Sequence, residues 1–272
     1  MLKIYAHTWF GYQMAKLHGD PPDGSSGRQV LRDIHLRAYE HAQADPTIRW
    51  TLAFVQASAR WSKLVHHDLQ ARYVDSGLAC VHPFHALEMD VPSKPPATLA
   101  DAGIAPATAP EVASFLASIE RSRPWAYREA FDLVPERFDL RSVSQLWTDA
   151  GFKRERDLLA AHDGSRLLAV ALVESADPGL HLFNLLDVVR LYALVPGGEA
   201  RFPALLDAAA AWFGLRGRSS FSCLLEEGTP GCAAHLAARD LGPGNATILS
   251  SELLPSFLEH VSEVTAPRLP PG

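Results

Sequence analysis

Histidines are the side chains with the most evident chemical potential in this sequence, and most of them lie in its first third. An imidazole titrates near pH 6.5, so it can take a proton from an amine or, when neutral, bind a metal ion. Eight of the twelve precede residue 91: His7, His18, His35, His41, His66, His67, His82 and His85. The segments His66-His67-Asp68 and His82-x-x-His85 invite a metal-site interpretation. Adjacent histidines on a helix point about 100° apart, however. Without an H-x-x-x-H motif or a carboxylate triad, we expect packed or surface histidines and no metal.

Composition restricts the class of protein. The chain has 272 residues, of which 47% are hydrophobic and 21% charged, as in ordinary globular proteins. At about 150 residues per domain, this length suggests two domains. Lys and Arg total 25 against 31 for Asp and Glu, a net charge of −6. We therefore expect neither nucleic acid nor an anionic membrane as the main partner.

Cysteine usage and hydropathy suggest a cytoplasmic location. Only Cys80, Cys223 and Cys232 are present, and none belongs to a C-x-x-C pair, which suits a reducing compartment. The first twenty residues contain no sustained apolar run, so they do not resemble a signal peptide. The sequence contains no stretch of about 18 apolar residues, so it predicts no membrane span.

A proline-rich segment divides the sequence into two parts. Prolines at 92, 95, 96, 106 and 110 remove backbone donors and exclude a regular helix or a central strand. We predict a linker over 91–110 between a first unit at 1–90 and a second unit at 111–265. Three prolines after 266 predict a C-terminal tail over 266–272.

The first part predicts alternating strands and helices. Ser26 and Gln29 form a capping box that starts a helix, and Gly77 ends a second helix. The predicted order is a strand at 2–9, a loop at 18–27, a helix from 30 to 42, a strand at 48–56, a helix at 59–73 and a strand from 78.

The second part predicts a longer series of the same kind. It comprises helices at 111–121 and 143–150, a hairpin of 158–162 with 167–174 turning at Asp163-Gly164, a strand at 180–194, a glycine loop, a helix at 202–213, a strand at 221–225, a helix at 232–241, a strand at 246–250 and a helix at 253–261. Asp187 lies within an apolar stretch. It is either a buried acid, a residue at a strand bulge, or a group bonded to the backbone.

This order over 111–261 resembles the GNAT superfamily of N-acetyltransferases. In that family a loop of pattern Gln/Arg-x-x-Gly-x-Gly/Ala follows the long strand and holds the pyrophosphate of coenzyme A. Here Val195-Pro196-Gly197-Gly198-Glu199-Ala200 aligns with it. Gly198 and Ala200 match, Val195 replaces the Gln or Arg, and Glu199 adds a negative charge. The resemblance implies an α/β fold with a mixed, mostly antiparallel sheet flanked by helices. It also implies coenzyme contacts at Gly197, Gly198 and Ala200, although a simple strand-to-helix turn would also place glycines there.

Residues 1–90 resemble the back half of the same fold, so the chain is expected to hold two such units, the first incomplete. The loop Gly24-Ser25-Ser26-Gly27-Arg28-Gln29 keeps Gly27 at the middle glycine, and Arg28 could attract phosphate. The resemblance implies that Gly24, Ser25, Ser26, Gly27, Arg28 and Gln29 bind the coenzyme. An ordinary capped helix start explains the same residues. A partner chain or a missing upstream segment could complete this unit.

Two residues of the first part match roles in the family's chemistry. Tyr73 lies four residues before Gly77, where the family has a tyrosine that protonates the departing thiolate. It also fits the apolar face of its helix. The corresponding count from Gly242 reaches Ala238, so the second part lacks this tyrosine. His7, on the strand predicted before the first glycine loop, is the best-placed histidine to deprotonate an amine; water is the alternative base.

The leading hypothesis is an N-acyltransferase that uses acetyl-CoA as cosubstrate and a small-molecule or peptide amine as acceptor, without a metal. A non-catalytic scaffold or regulatory protein of the same fold is the alternative. Metal-dependent hydrolysis by the N-terminal histidines is a third possibility. A homodimer is left open.

Overall fold

The computed structural model describes residues 1–11, 27–93, 103–177 and 185–266. Its strands are β1 (Leu2–Tyr5), β2 (Thr8–Gly11), β3 (Trp50–Gln56), β4 (Ala79–Asp90), β5 (Ile104–Pro106), β6 (Arg154–Asp163), β7 (Arg166–Ala176), β8 (Val188–Ala193), β9 (Ser220–Leu225) and β10 (Ala238–Ser250). Its α-helices are α1 (Gly27–Gln43), α2 (Arg60–Ser62), α3 (Asp68–Gln70), α4 (Ala109–Ser122), α5 (Trp125–Ala130), α6 (Arg141–Asp149), α7 (Phe202–Gly214) and α8 (Leu254–Thr265).

The fold is mixed α/β, with mostly antiparallel strand pairing and flanking helices, and this confirms the predicted fold class. The chain divides into two compact units. Unit 1 comprises Met1–Val81, Pro124–Phe131 and Asn245–Gly272, and unit 2 comprises His82–Arg123 and Asp132–Gly244. These units differ from the sequence ranges 1–90 and 111–265, because each one takes in segments from both halves of the chain.

In unit 2 the strands lie in the order β4-β9-β8-β7-β6-β5. Strands β8 and β9 are parallel, whereas β4 with β9 and each pair from β5 to β8 are antiparallel. The predicted hairpin is present as β6–β7, in which Asp163 pairs with Arg166 and Gly164 has a φ of +57°. Within the predicted linker, β5 pairs Ile104 with Ala161, and Pro106 ends this edge strand where its missing N–H costs nothing.

The two faces of the unit 2 sheet bury different kinds of side chain. On one face α7 packs Phe202, Leu205 and Ala209 against Ala171 and Val173 of β7. Each large apolar side chain that is fully buried in this way contributes about 1.5–3 kcal/mol. Because side chains alternate along a strand, the next residue of β7, Glu174, points to the opposite face. There it is fully buried among arginines.

In unit 1, β1 and β2 form an antiparallel hairpin and β2 pairs in parallel with β3. Its apolar core joins α1, α8 and the helical segment after β3 around Tyr39, Val65 and Phe257. The end of β10 lies beside β3, where the Thr247 hydroxyl donates to the carbonyl oxygen of Ala53 at 3.1 Å. Unit 1 therefore depends on chain segments that are remote in sequence.

The helix predicted over 59–73 is broken into short pieces. Between α2 and α3 the residues Lys63–His67 form a π-helical turn, which the Asp68 N–H closes on the Lys63 carbonyl. The segment ends in a 3-10 turn over Val74–Ser76, and Gly77 follows it in the left-handed conformation, with φ +75°. The predicted stop at Gly77 is thus confirmed.

The helix predicted over 232–241 is wrong. A 3-10 turn covers Pro230–Ala233, and β10 begins at Ala238. The long strand β4 supplies the reason, because it offers backbone partners: the Asp90 N–H donates to the Ala237 carbonyl at 3.0 Å. Side chains support the pairing, since His85 Nε2 lies 2.6 Å from Asp240 Oδ1. Strand pairing therefore prevails over the local helical propensity of this alanine-rich segment.

The strand predicted over 180–194 is also shorter than expected. Among the described residues it begins at Val188, after a turn at 185–187, while 178–184 lie outside the described residues. No helix of the described chain is both long and apolar enough to traverse a bilayer.

Candidate functional site

Each unit contains two adjacent parallel strands that are joined through a helix. In unit 1 these are β2, α1 and β3, and in unit 2 they are β8, α7 and β9. In unit 2 a short loop leads from β8 into the helix, so the N-terminus of α7 lies near the carboxyl end of β8. In unit 1 the last residue of β2, Gly11, lies against the Tyr39 hydroxyl, which is about 18 Å along α1 from its first residue, Gly27. A helix N-terminus favours anions, because N–H groups of the first helical turn lack partners within the helix.

The unit 2 loop is a tight turn. Gly197 has φ +81°, and a Cβ on Gly198 would lie 2.5 Å from the carbonyl oxygen of Leu168. The Gly198 N–H donates to the Val195 carbonyl at 3.0 Å, and the Ala200 N–H donates to the Gly197 carbonyl at 3.2 Å. Two of the three residues predicted to hold pyrophosphate, Gly198 and Ala200, thus have acceptors for their amides within the turn. This geometry favours the simple-turn interpretation of Gly197, Gly198 and Ala200.

Beyond this loop, β8 and β9 part from each other. Their register runs from Val188 with Ser222 to Arg190 with Leu224, whereas β8 stays paired with β7 as far as Ala193 with Ala169. We call the gap past Arg190 and Leu224 the β8–β9 cleft. Its exposed strand edge includes the Ala193 N–H, which donates to the Glu227 carboxylate with an N to Oε2 distance of 3.2 Å.

A cluster of charged side chains surrounds that carboxylate. Arg123 Nη2 lies 2.7 Å from Glu227 Oε1, and Arg123 Nε lies 3.3 Å from Glu226 Oε2. His82 Nε2 is 2.9 Å from the same Glu226 oxygen. The Arg123 guanidinium also lies over the ring of Tyr192, 5.8 Å from its centroid. We call Arg123, Glu226, Glu227 and His82 the cleft cluster.

The unit 1 loop lies largely outside the described residues. Gly24, Ser25 and Ser26 belong to that part, so their predicted contacts and the capping box of Ser26 with Gln29 stay predictions. Gly27, Arg28 and Gln29 form the first turn of α1, a helix of 17 residues whose first turn carries no acidic residue. The first turn of α1 thus carries Arg28 and no acidic residue, whereas the 3-10 turn before α7 carries both Glu199 and Arg201.

Tyr73 stands at the end of the helical segment that follows β3. Its ring packs partly buried against the apolar core of unit 1, and its backbone carbonyl accepts a hydrogen bond of 2.6 Å from the Ser76 hydroxyl. Within the part of the chain that the structure describes, the Tyr73 hydroxyl makes no hydrogen bond. The ring thus has the packing role noted from the sequence.

His7 does not lie on a strand that runs into the first glycine loop, which corrects that placement. It occupies the turn between β1 and β2, and its Nδ1 donates to the Thr47 carbonyl at 2.9 Å. The loop leaves β2 at its other end, after Gly11, about 13 Å along the strand. The role of His7 as a base therefore stays a prediction, with water as the alternative.

Three histidines of unit 1 do come together, in its interior. His66 is buried, with ring centroids 5.4 Å from His35 and 5.4 Å from Phe257, and its Nδ1 lies 3.5 Å from the Tyr39 hydroxyl. Burial, together with the neighbouring His35 and His260, lowers the pKa of His66 to about 3. The described residues contain no group of side chains arranged to hold a metal ion.

Asp187 is a buried structural acid. Its Oδ1 accepts hydrogen bonds from the Ser175 hydroxyl at 2.6 Å and from the Ala176 N–H at 3.2 Å. Its Oδ2 lies 3.3 Å from Arg218 Nε. The alternative that Asp187 bonds to the backbone is therefore confirmed.

Sequence reasoning missed the buried arginine cluster and the cleft cluster. Glu174 is surrounded by Arg154, Arg156 and Arg190, and the available signal was charged residues inside otherwise apolar strands. For the cleft cluster the only signal was the adjacent pair Glu226-Glu227 directly after a strand.

Comparisons with known proteins give structural neighbours alone. No family model matches the chain, and a search of the curated proteins finds no relative. Among the solved structures, the chain is similar to a putative GNAT-family acetyltransferase from Novosphingobium aromaticivorans, with 18% identity, 62% of this chain and 65% of that chain covered, and a TM-score of 0.38.

Two further neighbours carry related names. A GCN5-related N-acetyltransferase from Sphaerobacter thermophilus has 11% identity, covers 92% of this chain and 74% of that chain, and has a TM-score of 0.42. A tandem GNAT protein from the clavulanic acid biosynthesis pathway has 15% identity, with coverages of 84% and 72% and a TM-score of 0.36.

Proposed function

We propose that this protein is an acyl-CoA-dependent N-acyltransferase and that unit 1 holds the coenzyme. The observation that carries this proposal is the crossover from β2 through α1 to the parallel strand β3. Its helix begins with Gly27 and Arg28 and has no acidic residue in its first turn. The motifs that resemble the GNAT superfamily point to the same place.

Electrostatics favour a phosphate at this helix start. The first-turn N–H groups and the helix dipole stabilise a negative charge by about 0.3–1 kcal/mol at an exposed site. Arg28 would add a charge-assisted interaction with the pyrophosphate of acetyl-CoA. These residues therefore fit the group, whereas Glu199 and Glu227 make unit 2 a poor fit.

The reaction would need little covalent participation by the protein. The amine nitrogen of the acceptor attacks the thioester carbonyl carbon, water removes the proton of that nitrogen, and the carbon–sulfur bond breaks. Tyr73 would donate its hydroxyl proton to the departing thiolate. Holding both substrates together and transferring these protons are the two sources of rate enhancement. The acceptor is expected to be a small-molecule or peptide amine, and the reaction to be cytoplasmic.

Isothermal titration with acetyl-CoA tests this proposal. We expect binding to the wild type that is lost in Arg28→Glu and retained in Arg37→Glu. Arg37 is the matched control, since it lies on the same helix about 13 Å from Arg28 and its side chain is 85% exposed. Absence of binding at millimolar acetyl-CoA, or equal loss in both variants, would contradict the proposal.

A non-catalytic scaffold is the second candidate, favoured by the bond between the Ala193 N–H and Glu227 in unit 2. If neither unit can accept the coenzyme, the protein will not bind acetyl-CoA. It will also release no free coenzyme A thiol from acetyl-CoA with any amine. Binding without turnover would favour a regulatory role that depends on the coenzyme.

A further inference from the structure

We propose that unit 2 closes its own β8–β9 cleft, with the Glu227 carboxylate acting as an internal ligand of the Ala193 amide and Arg123 holding it there. The ligand class that would otherwise enter is taken from the proposed function, namely an acyl thioester of coenzyme A. The closure itself rests on the contacts of unit 2 alone.

The strand geometry explains why this amide needs an acceptor. Backbone N–H groups away from water are almost always hydrogen-bonded, and a parallel neighbour supplies the acceptors as long as the strands stay in register. The pairing of β8 with its parallel neighbour β9 ends at Arg190 and Leu224. The next amide along, Leu194, points toward β7 and donates to the Leu168 carbonyl at 2.9 Å. Successive amides of a strand alternate in direction, so the Ala193 N–H points into the cleft.

Glu227 fills this position from inside the molecule. Its Oε2 accepts from the Ala193 N–H at 3.2 Å, while its Oε1 pairs with Arg123 Nη2 at 2.7 Å. Both carboxylate oxygens therefore have donors, one on the cleft edge and one on the guanidinium. An entering ligand must displace a charge-assisted pair as well as a hydrogen bond.

Arg123 is itself fixed in place. It caps the C-terminus of α4, where its N–H donates to the Ile119 carbonyl at 2.8 Å. Its side chain is only 8% exposed, and its Nε pairs with Glu226, which also contacts His82. Because several partners hold the guanidinium, it forms a rigid anchor for Glu227.

The charge balance of the cleft points the same way. Glu226 and Glu227 place two carboxylates against Arg123, with His82 as a further partner of Glu226. The turn before α7 carries an exposed Glu199, followed two residues later by Arg201. A pyrophosphate that approached the loop would meet like charge, which is unfavourable at close range even in a well-solvated site. The same arrangement that satisfies the Ala193 amide thus also repels a phosphorylated ligand.

Removal of Glu227 tests the closure by a gain of binding. We expect Glu227→Ala to add one acetyl-CoA site per chain in isothermal titration. The number of sites would rise from one to two if unit 1 binds the coenzyme, and from zero to one if it does not. If unit 1 does not bind acetyl-CoA, only the number of sites in the wild type changes, and the expected gain of one site in the variant stays the same. Glu155→Ala is the matched control, because it removes another carboxylate of unit 2, one that pairs with Arg216, and should keep the cleft closed.

Hydrogen exchange of the Ala193 amide, followed by NMR, provides a second readout that needs no ligand. We expect exchange at least tenfold faster in Glu227→Ala than in the wild type, and little change in Glu155→Ala. Circular dichroism would check that the variants are folded, which we expect because Glu227 is 30% exposed. Glu227→Ser replaces the alanine variant if that variant does not fold.

Two results would overturn the proposal. One is unchanged exchange at Ala193 in folded Glu227→Ala. The other is the lack of an added site both in Glu227→Ala and in the double variant Glu199→Ala/Glu227→Ala, which also removes the repulsion from the loop.

Discussion

Glu174 and Arg190, on the neighbouring strands β7 and β8, form a buried ion pair with 3.0 Å between Oε2 and Nη2. Arg154 contacts the same Oε2 at 2.9 Å, and Arg156 Nε donates to Oε1 at 2.6 Å. One carboxylate thus pairs with three guanidinium groups that are almost completely buried. Removing one partner of a buried ion pair is far more costly than removing one partner of an exposed pair.

Glu174→Gln should therefore destabilise the protein strongly. Removing one partner of a buried pair costs about 3–5 kcal/mol, measured as the free energy of unfolding in urea. Glu155→Gln on β6 is the control, since its pair with Arg216 is 44% and 27% exposed. Such a pair contributes about 0–1 kcal/mol. A cost below about 1 kcal/mol for Glu174→Gln would show that the arginines do not need this carboxylate.

His66 should make stability depend on pH below neutrality. Its pKa is lowered to about 3 in the fold, against about 6.5 in the unfolded chain. Between these values the unfolded chain binds a proton that the folded chain does not. The contribution of His66 to the free energy of unfolding is thus fully present above pH 6.5. It is lost as the pH falls toward 3, by up to about 1.4 kcal/mol per pH unit.

Urea unfolding at pH 7 and pH 5 of the wild type and His66→Gln measures this contribution. The wild type should lose about 2 kcal/mol more than the variant over this interval. His67→Gln, the neighbouring residue whose side chain is 28% exposed, should behave as the wild type does. Equal losses for wild type and His66→Gln would mean that His66 is not held neutral by its surroundings.

Gly198→Ala should destabilise the unit 2 loop. The new Cβ would lie 2.5 Å from the Leu168 carbonyl oxygen, a backbone atom that cannot swing aside. We expect a loss of about 1–3 kcal/mol and a lower thermal midpoint. Gly231→Ala is the control, because its Cβ would meet nothing closer than 3.6 Å. Acetyl-CoA binding by unit 1 should survive both changes, so loss of binding in Gly198→Ala would place the coenzyme in unit 2.

Tyr73→Phe tests the role of the hydroxyl in the proposed reaction. The ring keeps its packing against the unit 1 core, so stability and acetyl-CoA affinity should change little. Loss of a general acid should lower kcat by about a hundredfold or more, measured as release of coenzyme A thiol with an accepted amine. An unchanged kcat would leave Tyr73 a packing residue only.

The sequence by itself determined the elements whose signals are local. The helix predicted at 111–121 appears as α4, whose capping box joins Thr108 and Glu111. The β6–β7 hairpin and α7 likewise lie where turn residues and apolar periodicity predicted them. Such signals come from residues within one or two turns of each other, so they act in any tertiary context. The candidate glycine loops and Tyr73 were visible for the same reason.

Only the tertiary structure decided which residues meet across long stretches of chain. Ala193 and Glu227 are 34 positions apart, and their contact depends on where two parallel strands part. Residues 238–241 became strand because β10 pairs with β4, its neighbour in the sheet. His7 was predicted within one strand over 2–9, whereas the structure has two antiparallel strands there and His7 lies in the turn between them. Strand register and edge pairing are set by the whole sheet, and no local pattern encodes them.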